Sequence, residues 1–332
     1  MKKNLTKKLM LSVLTLAFAV VSLGASTFAW FTVGGNQQEA EFSATVVNGV
    51  GLDIAFTEVG KEPTAWNSAG SLATDALQNL IKTLNGDTWQ MNAVTPQTAP
   101  ALGVATKFVD IDGTQINKAY IEFDMHFKLT DTTTPNTYTV FMEEFAIESA
   151  TPTKWKCDNS FNVKKADGVE ELTLNGENEF NILSAIRVSF NATDSTEDIN
   201  GIYEQAEDVE KISKVTVDEK VVVTVLNGYN TKGASADTAK GAFQYYVNKT
   251  KTTPTFNGIT ATTKELVASA NKVNLSAPTQ MGVLAGSNQI KVSVRLWVEG
   301  WDAECLNAIF AQAINASMSI ALRDENGAVL PA

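Results

Sequence analysis

A single histidine, His126, occurs in the 332 residues. That shortage removes the His-rich zinc centres, and no H-E-x-x-H pattern is present. A Ser-His-Asp triad would have to use the same side chain, and no G-x-S-x-G elbow accompanies it. Cysteine is almost as scarce, with only Cys157 and Cys305. Positive charge is also short: 26 basic residues face 37 acidic ones, for a net charge of −11. Nucleic acid is thereby excluded as a partner, because phosphate binding needs basic patches. Adsorption to anionic lipid is disfavoured for the same reason. No fixed-period repeat runs along the chain.

A long uncharged stretch is present only at the start. Lys2, Lys3, Lys7 and Lys8 precede an apolar run from Leu9 to Leu23, and the small residues Gly24, Ala25, Ser26, Thr27 and Ala29 follow. Ser12, Thr15 and Ser22 interrupt the run, which is shorter than the roughly 20 residues of a spanning helix. A basic start, an apolar middle and a small-residue end describe a secretory signal peptide over residues 1–29, cut between Ala29 and Trp30. The blander alternative is an uncleaved anchor. Cleavage removes four lysines and no acids, so the mature chain carries −15. Such a charge suits a self-repelling secreted protein. No apolar tail or sorting motif precedes the final Leu330-Pro331-Ala332, so no tie to wall or membrane is expected after cleavage.

The mature chain would begin Trp30-Phe31-Thr32. Burying two such aromatics is worth roughly 1.5–3 kcal/mol each, so this end is expected to dock. Gly34-Gly35 forms a joint behind the pair, and a polar spacer leads to a strand at 41–47. The aromatics dock into their own core or into a neighbour.

Most of the remaining pattern is period-two alternation, the mark of half-buried strands. Residues 119–129 alternate Ile121, Phe123, Met125, Phe127 and Leu129 with Tyr120, Glu122, Asp124, His126 and Lys128. Residues 289–300 alternate Ile290, Val292, Val294, Leu296 and Val298 with Lys291, Ser293, Arg295, Trp297 and Glu299. Residues 185–190 and 316–322 repeat the pattern, 41–56 read as two strands, and 214–226 read as a hairpin turning at 218–220. Helical spacing occurs at 71–84 and from Asp302, as N-cap, to Ala313. The sum is a mainly β protein: an antiparallel β-sandwich over residues 30–332, jelly-roll-like, with two short helices and long decorated loops. Residues 191–275 read as long connections or an inserted lobe.

Candidate sites are sparse. His126 reads as a surface histidine on a polar strand face. Residues 110–113, DIDG, lack the closing Glu of a calcium loop and read as a solvated turn. Asp194, Glu197 and Asp198 read as a mobile acidic loop, with calcium as the alternative. No motif supports convergent carboxylates, so no catalytic residue and no cofactor is expected, and the chain reads as a non-enzyme. Cys157 and Cys305 can pair after export. The densest pattern is RLWVEGWDAEC, residues 295–305. There Arg295 and Glu299 flank Trp297 at a strand-to-helix corner, and Trp301 follows. A sugar-binding role for Trp297 and Trp301 is the functional alternative to a structural stack.

The segment GASTFAWFT, residues 24–32, resembles the signal-peptide ends of Gram-positive secreted proteins processed by the SipW-type signal peptidase. The TasA/camelysin biofilm-matrix group is the best-known set. RLWVEGWDAEC and YIEFDMHFK, residues 120–128, resemble segments of secreted proteins with this leader. The resemblance implies export, and it implies fibre assembly by donation of an N-terminal strand through Trp30, Phe31, Gly34 and Gly35. The expected role is therefore a secreted structural protein of the cell surface or extracellular matrix. Its partners would be its own copies and other matrix or surface components. A monomeric polysaccharide- or calcium-binding module is the rival, and a secreted hydrolase the third reading.

Overall fold

The computed structural model describes residues 40–46, 51–68, 73–86, 91–110, 113–117, 120–133, 136–149, 153–156, 161–165, 168–172, 175–205, 213–217, 221–225, 263–269, 271–300, 302, 305 and 313–329. The chain enters through β1 (Ala40–Val46) and β2 (Leu52–Thr57), followed by the short β3 (Asn67–Ser68) and helix α1 (Ala73–Asn85). Three short strands come next: β4 (Ala93–Pro96), β5 (Phe108–Val109) and β6 (Gln115–Ile116). Two long ones follow, β7 (Ile121–Leu129) and β8 (Thr137–Ser149). β9 (Thr153–Lys156), β10 (Phe161–Lys165), β11 (Gly168–Leu172) and β12 (Glu177–Phe180) make two small ribbons, β9 with β12 and β10 with β11. A 3-10 turn at Ile182–Ala185 leads into β13 (Ile186–Ala192) and then β14 (Gly201–Gln205). β15 (Ser213–Val217) and β16 (Val221–Val225) pair as the expected hairpin. The chain closes with β17 (Thr263–Ser269), β18 (Lys272–Asn274), β19 (Thr279–Ala285), β20 (Gln289–Glu299) and β21 (Ile314–Arg323).

The architecture is mainly β. Fifteen strands join one open sheet whose path runs β1-β21-β8-β18-β17-β14-β13-β20-β4-β5-β6, with β2, β3, β7 and β19 branching from it. The sheet is mixed, which corrects the purely antiparallel expectation. β1/β21, β14/β17 and β20/β4 are parallel, and in each case a long crossover separates the partners, as parallel pairing requires. Residues 201–205, within the stretch read as an acidic connection, are strand β14 in that sheet. Helix α1 agrees with the periodicity; most of the second expected helix, apart from Asp302, Cys305 and Ala313, lies outside the described residues. Among the described residues no helix is long and apolar enough to cross a membrane.

Register builds the core. Ile54, Phe127 and Ile290 align across β2, β7 and β20, and Phe123, Val294 and Phe190 align across β7, β20 and β13. These rows share one apolar cluster with Val140, Met142, Phe145 and Ile147 of β8 and with Met318 and Ile320 of β21. The buried alternation of β8 skips a step between Met142 and Phe145. A bulge at Glu143 absorbs it: Ile320 faces Met142 while Ser319 faces Glu144. Glu143 turns outward to a two-point ion pair with Arg323, at 2.8 and 2.7 Å. Leu77 and Ile81 of α1 close the cluster beside β1 and β2.

Phe190 sits fully buried, edge-on to Phe145 at 5.2 Å and to Tyr203 at 5.7 Å. Replacing it with Ala should cost about 3–5 kcal/mol. A denaturant titration should show a lower midpoint with an unchanged slope.

Candidate functional site

The polar faces of β7, β20 and β13 are not solvated. Asp124, His126, Arg187, Ser189, Ser293, Arg295, Trp297 and Glu299 are all buried. Two loops, 58–61 and 97–107, lie across them, and the register and the loop backbone supply partners for most of these groups; the Ser189 hydroxyl is buried without one among the described residues. Glu122 stands opposite Arg295, and its Oε1 accepts from Arg295 Nε at 2.7 Å and from the Thr106 amide at 2.8 Å. Arg295 Nη1 donates to Asn191 Oδ1, and Nη2 donates to the carbonyls of Ala101 and Val104. Asp124 accepts from the hydroxyl of Ser293 and from the Gly60 amide, and Ser293 Oγ accepts from the Gly103 amide at 2.8 Å. The two loops meet here: with φ of +80° at Gly60, an added Cβ would lie 2.9 Å from the Gly103 carbonyl oxygen.

Residues 295–300 are therefore buried structure, as the strand-corner reading expected; what is corrected is the surface placement of Trp297 on which the sugar-binding alternative rested. Its indole is 1% exposed. Nε1 donates to Glu299 Oε2 at 3.0 Å, and the ring packs on Phe108 at 5.6 Å. The register puts Trp297 beside Arg187, under the elements that carry Phe108 and Tyr120. Only one half of the expected flanking occurs, through Glu299; Arg295 turns to Glu122 and the loop. Trp301 lies outside the described residues.

His126 is likewise not a surface residue. It is 2% exposed, with Nε2 at 2.9 Å from Thr57 Oγ1 and Trp66 edge-on at 6.5 Å. The Thr57 hydroxyl donates to the Lys61 carbonyl, so its oxygen accepts from His126, which sets the Nε2–H tautomer. Burial lowers the histidine pKa below its ordinary value, against an opposing pull from Asp124 and Glu62.

A second buried cluster had no motif. Arg187 Nη2 lies 2.6 Å from Glu204 Oε2 and 2.7 Å from Asp302 Oδ2, with all three side chains at or below 1% exposure. Its Nη1 donates to the carbonyls of Ser184 and Ile186. An arginine inside the otherwise apolar AIRVSF was the available signal: a buried guanidinium demands carboxylates from elsewhere. Asp302, expected as a helix cap, answers that demand. Cys305 follows it as a free, buried thiol, so the expected Cys157–Cys305 bridge is not made at this end. Burial first, then Asp302 and Glu299, pushes that thiol well up. Cys157 lies outside the described residues.

The acidic loops hold no ion-binding geometry among the described residues, where no group of three or more His, Cys, Asp or Glu gathers for a metal. Asp110 closes the β5–β6 turn by accepting from Thr114 N, the expected turn. The 194–200 loop is tied rather than mobile. Asp194 Oδ1 accepts from both Thr196 groups, and Asn200 bonds Ala192, Asp194 and Glu197.

The remaining candidate is the sheet's end. β1 is the terminal strand of the path and pairs in parallel with β21 from Ala40↔Ile314 to Val46↔Ile320. In the single chain this segment extends its own sheet. Ala29, Trp30, Phe31, Gly34 and Gly35 lie outside the described residues.

Two outcomes follow from the buried charges. Arg187→Met should cost about 3–5 kcal/mol by stranding two carboxylates, and adding Glu204→Leu should recover part of the loss in thermal melts. For His126 the folded pKa lies below the unfolded one, near 6.5. Its contribution is then complete above that pH and declines as pH falls from there through the folded pKa. Unfolding free energies of the parent and of His126→Gln, measured between about pH 7.5 and 4.5, should differ in slope in that window and run parallel above it.

No protein-family model, no curated protein and no solved structure matches the chain.

Proposed function

We propose that this chain is a secreted, non-enzymatic structural protein of the cell surface or matrix that assembles by exchanging its N-terminal strand. The observation that carries the reading is the place of β1: among the described residues it is strand-paired on one side only, by β21, at the end of the sheet path. A terminal strand with an unpaired edge is a ready unit for addition to another chain. If β1 leaves its own β21, it can pair with the β21 of the next copy in the same register, which is strand exchange between identical units. Cleavage after Ala29 would place Trp30 and Phe31 ahead of β1, with Gly34-Gly35 between them as a joint, so that the aromatics anchor in the neighbour. The apolar faces of β2-β7-β20-β13 and of β21-β8 share one cluster, which supports a sandwich-like body that survives the exchange. The buried polar groups on β7 and β20 are occupied by loop backbone, which supports a scaffolding role over a catalytic one.

Ser43 faces Ser317 across the β1/β21 ladder. The mature protein carrying Ser43→Cys and Ser317→Cys should assemble under reducing conditions into filaments visible by electron microscopy. Oxidising those filaments should give an inter-chain ladder on a non-reducing gel. Cross-links confined to single chains would place β1 in its own sheet in every state and overturn strand exchange.

A further inference from the structure

We propose that the cleft at the C-terminal end of α1 is a binding site for a primary alkylammonium group, such as a lysine side chain or a small free amine. The cleft has a volume of about 230 Å³ and is lined by Glu58, Val59, Leu84, Asn85, Tyr120 and Glu122, among others. Three elements converge there: the exit of β2, the last turn of α1, and the start of β7.

The lining separates into the two parts that an amine on an alkyl stem requires. Val59 and Leu84 supply apolar wall. At the polar end stand two carboxylates, the Tyr120 ring and the Asn85 side chain. The amide of Asn85 donates to the Ile81 carbonyl, which turns its Nδ2 to the helix and leaves Oδ1 as an acceptor. A helix C-terminus adds negative potential of its own. Among the described residues no Lys or Arg lines the cleft. An ammonium over the Tyr120 face would gain a cation–π contact, while Phe108 holds the other side of the ring at 4.0 Å.

Unused polar capacity points the same way. The Glu122 side chain is only 10% exposed, and its Oε1 is committed to Arg295 and the Thr106 amide. Among the described residues its Oε2 has no hydrogen-bond partner, and neither does the Tyr120 hydroxyl. Glu58 is exposed and makes no side-chain bond there. Charge decides between an amine and a divalent metal. Arg295 already neutralises Glu122, so among the described lining residues Glu58 is left as the net charge, which matches a monocation. Calcium takes six to eight oxygens with several carboxylates among them.

The test uses the full mature chain and ligand-observed NMR with three probes: n-butylammonium, Nα-acetyl-lysine methylamide, and Nα-acetyl-norleucine methylamide as the uncharged control. Saturable binding of the first probe with a Kd of roughly 1 mM is expected, weakened about tenfold by Glu58→Gln. The exposed, unbonded Glu58 makes that variant's melting temperature a control, expected unchanged. Equal binding of the capped lysine identifies a protein side chain as a fitting ligand. Binding of butylammonium alone identifies a free amine. The proposal is overturned if neither amine saturates, if norleucine binds as well as lysine, if Glu58→Gln has no effect, or if calcium displaces the amine at matched ionic strength.

Discussion

The guanidinium of Arg295 is the contact on which the described body is organised. It is wholly buried, and one planar group bonds Glu122 on β7, Asn191 on β13 and two carbonyls of the 97–107 loop. Burying a charge in this way is tolerable only if its donors are met, because the alternative is a desolvated, unpaired cation. Meeting them sets the register of three strands and the course of a loop at once. A slip of one residue on β20 would send Arg295 into the apolar cluster and Val294 or Leu296 under the loop.

The same logic extends outward from that contact. Asp124 and Ser293 lie one pleat away and hold the loops through the Gly60 and Gly103 amides. His126 lies one pleat further and holds Thr57, which in turn holds the Lys61 carbonyl. At the other end Trp297 and Glu299 bond each other, and Arg187 collects Glu204 and Asp302. Strand β20 is therefore buried on both faces through most of its length, one face by side chains of the core and the other by a polar layer roofed with backbone. Polar networks of this kind specify one arrangement, since a partly satisfied alternative is costly.

The interior and the rim of the sheet meet different requirements. Inside, the buried guanidinium groups and the Trp297 indole have fixed acceptors, while the hydroxyls of Thr95, Thr106 and Ser189 are buried without partners among the described residues. At the β1 end, one ladder of main-chain bonds to β21 is all that the sheet path provides, and main-chain ladders carry no identity: another copy's β21 would offer the same one. At the α1 end, the cleft beside Tyr120 keeps an acceptor and a hydroxyl without partners among the described residues. The cleft lies at the edge of the charged face that the alternation makes conspicuous, where Tyr120 and Glu122 begin β7, and the β1 ladder lies away from it.

Alternation alone was enough to identify β7, β13, β20 and β21 and to assign their core-facing residues, because a two-residue period reports which side chains share a face. Amphipathic spacing identified α1 in the same way. What period two cannot report is what lies over the other face. Glu122, Asp124, His126, Arg295 and Trp297 read as a solvated face because charged and polar residues usually meet water, and only the tertiary placement of loops 58–61 and 97–107 turned that face into an interior. Strand β14 escaped notice because its five residues carry little alternation, and its role depends on β13 and β17, far away in sequence. Cys305 and Asp302 were legible as residue types but not as neighbours of Arg187. The sequence by itself determined which residues seek burial and at what local spacing; the tertiary structure decided which polar groups would be buried with them, since that depends on contacts between segments whose separation along the chain carries no local signal.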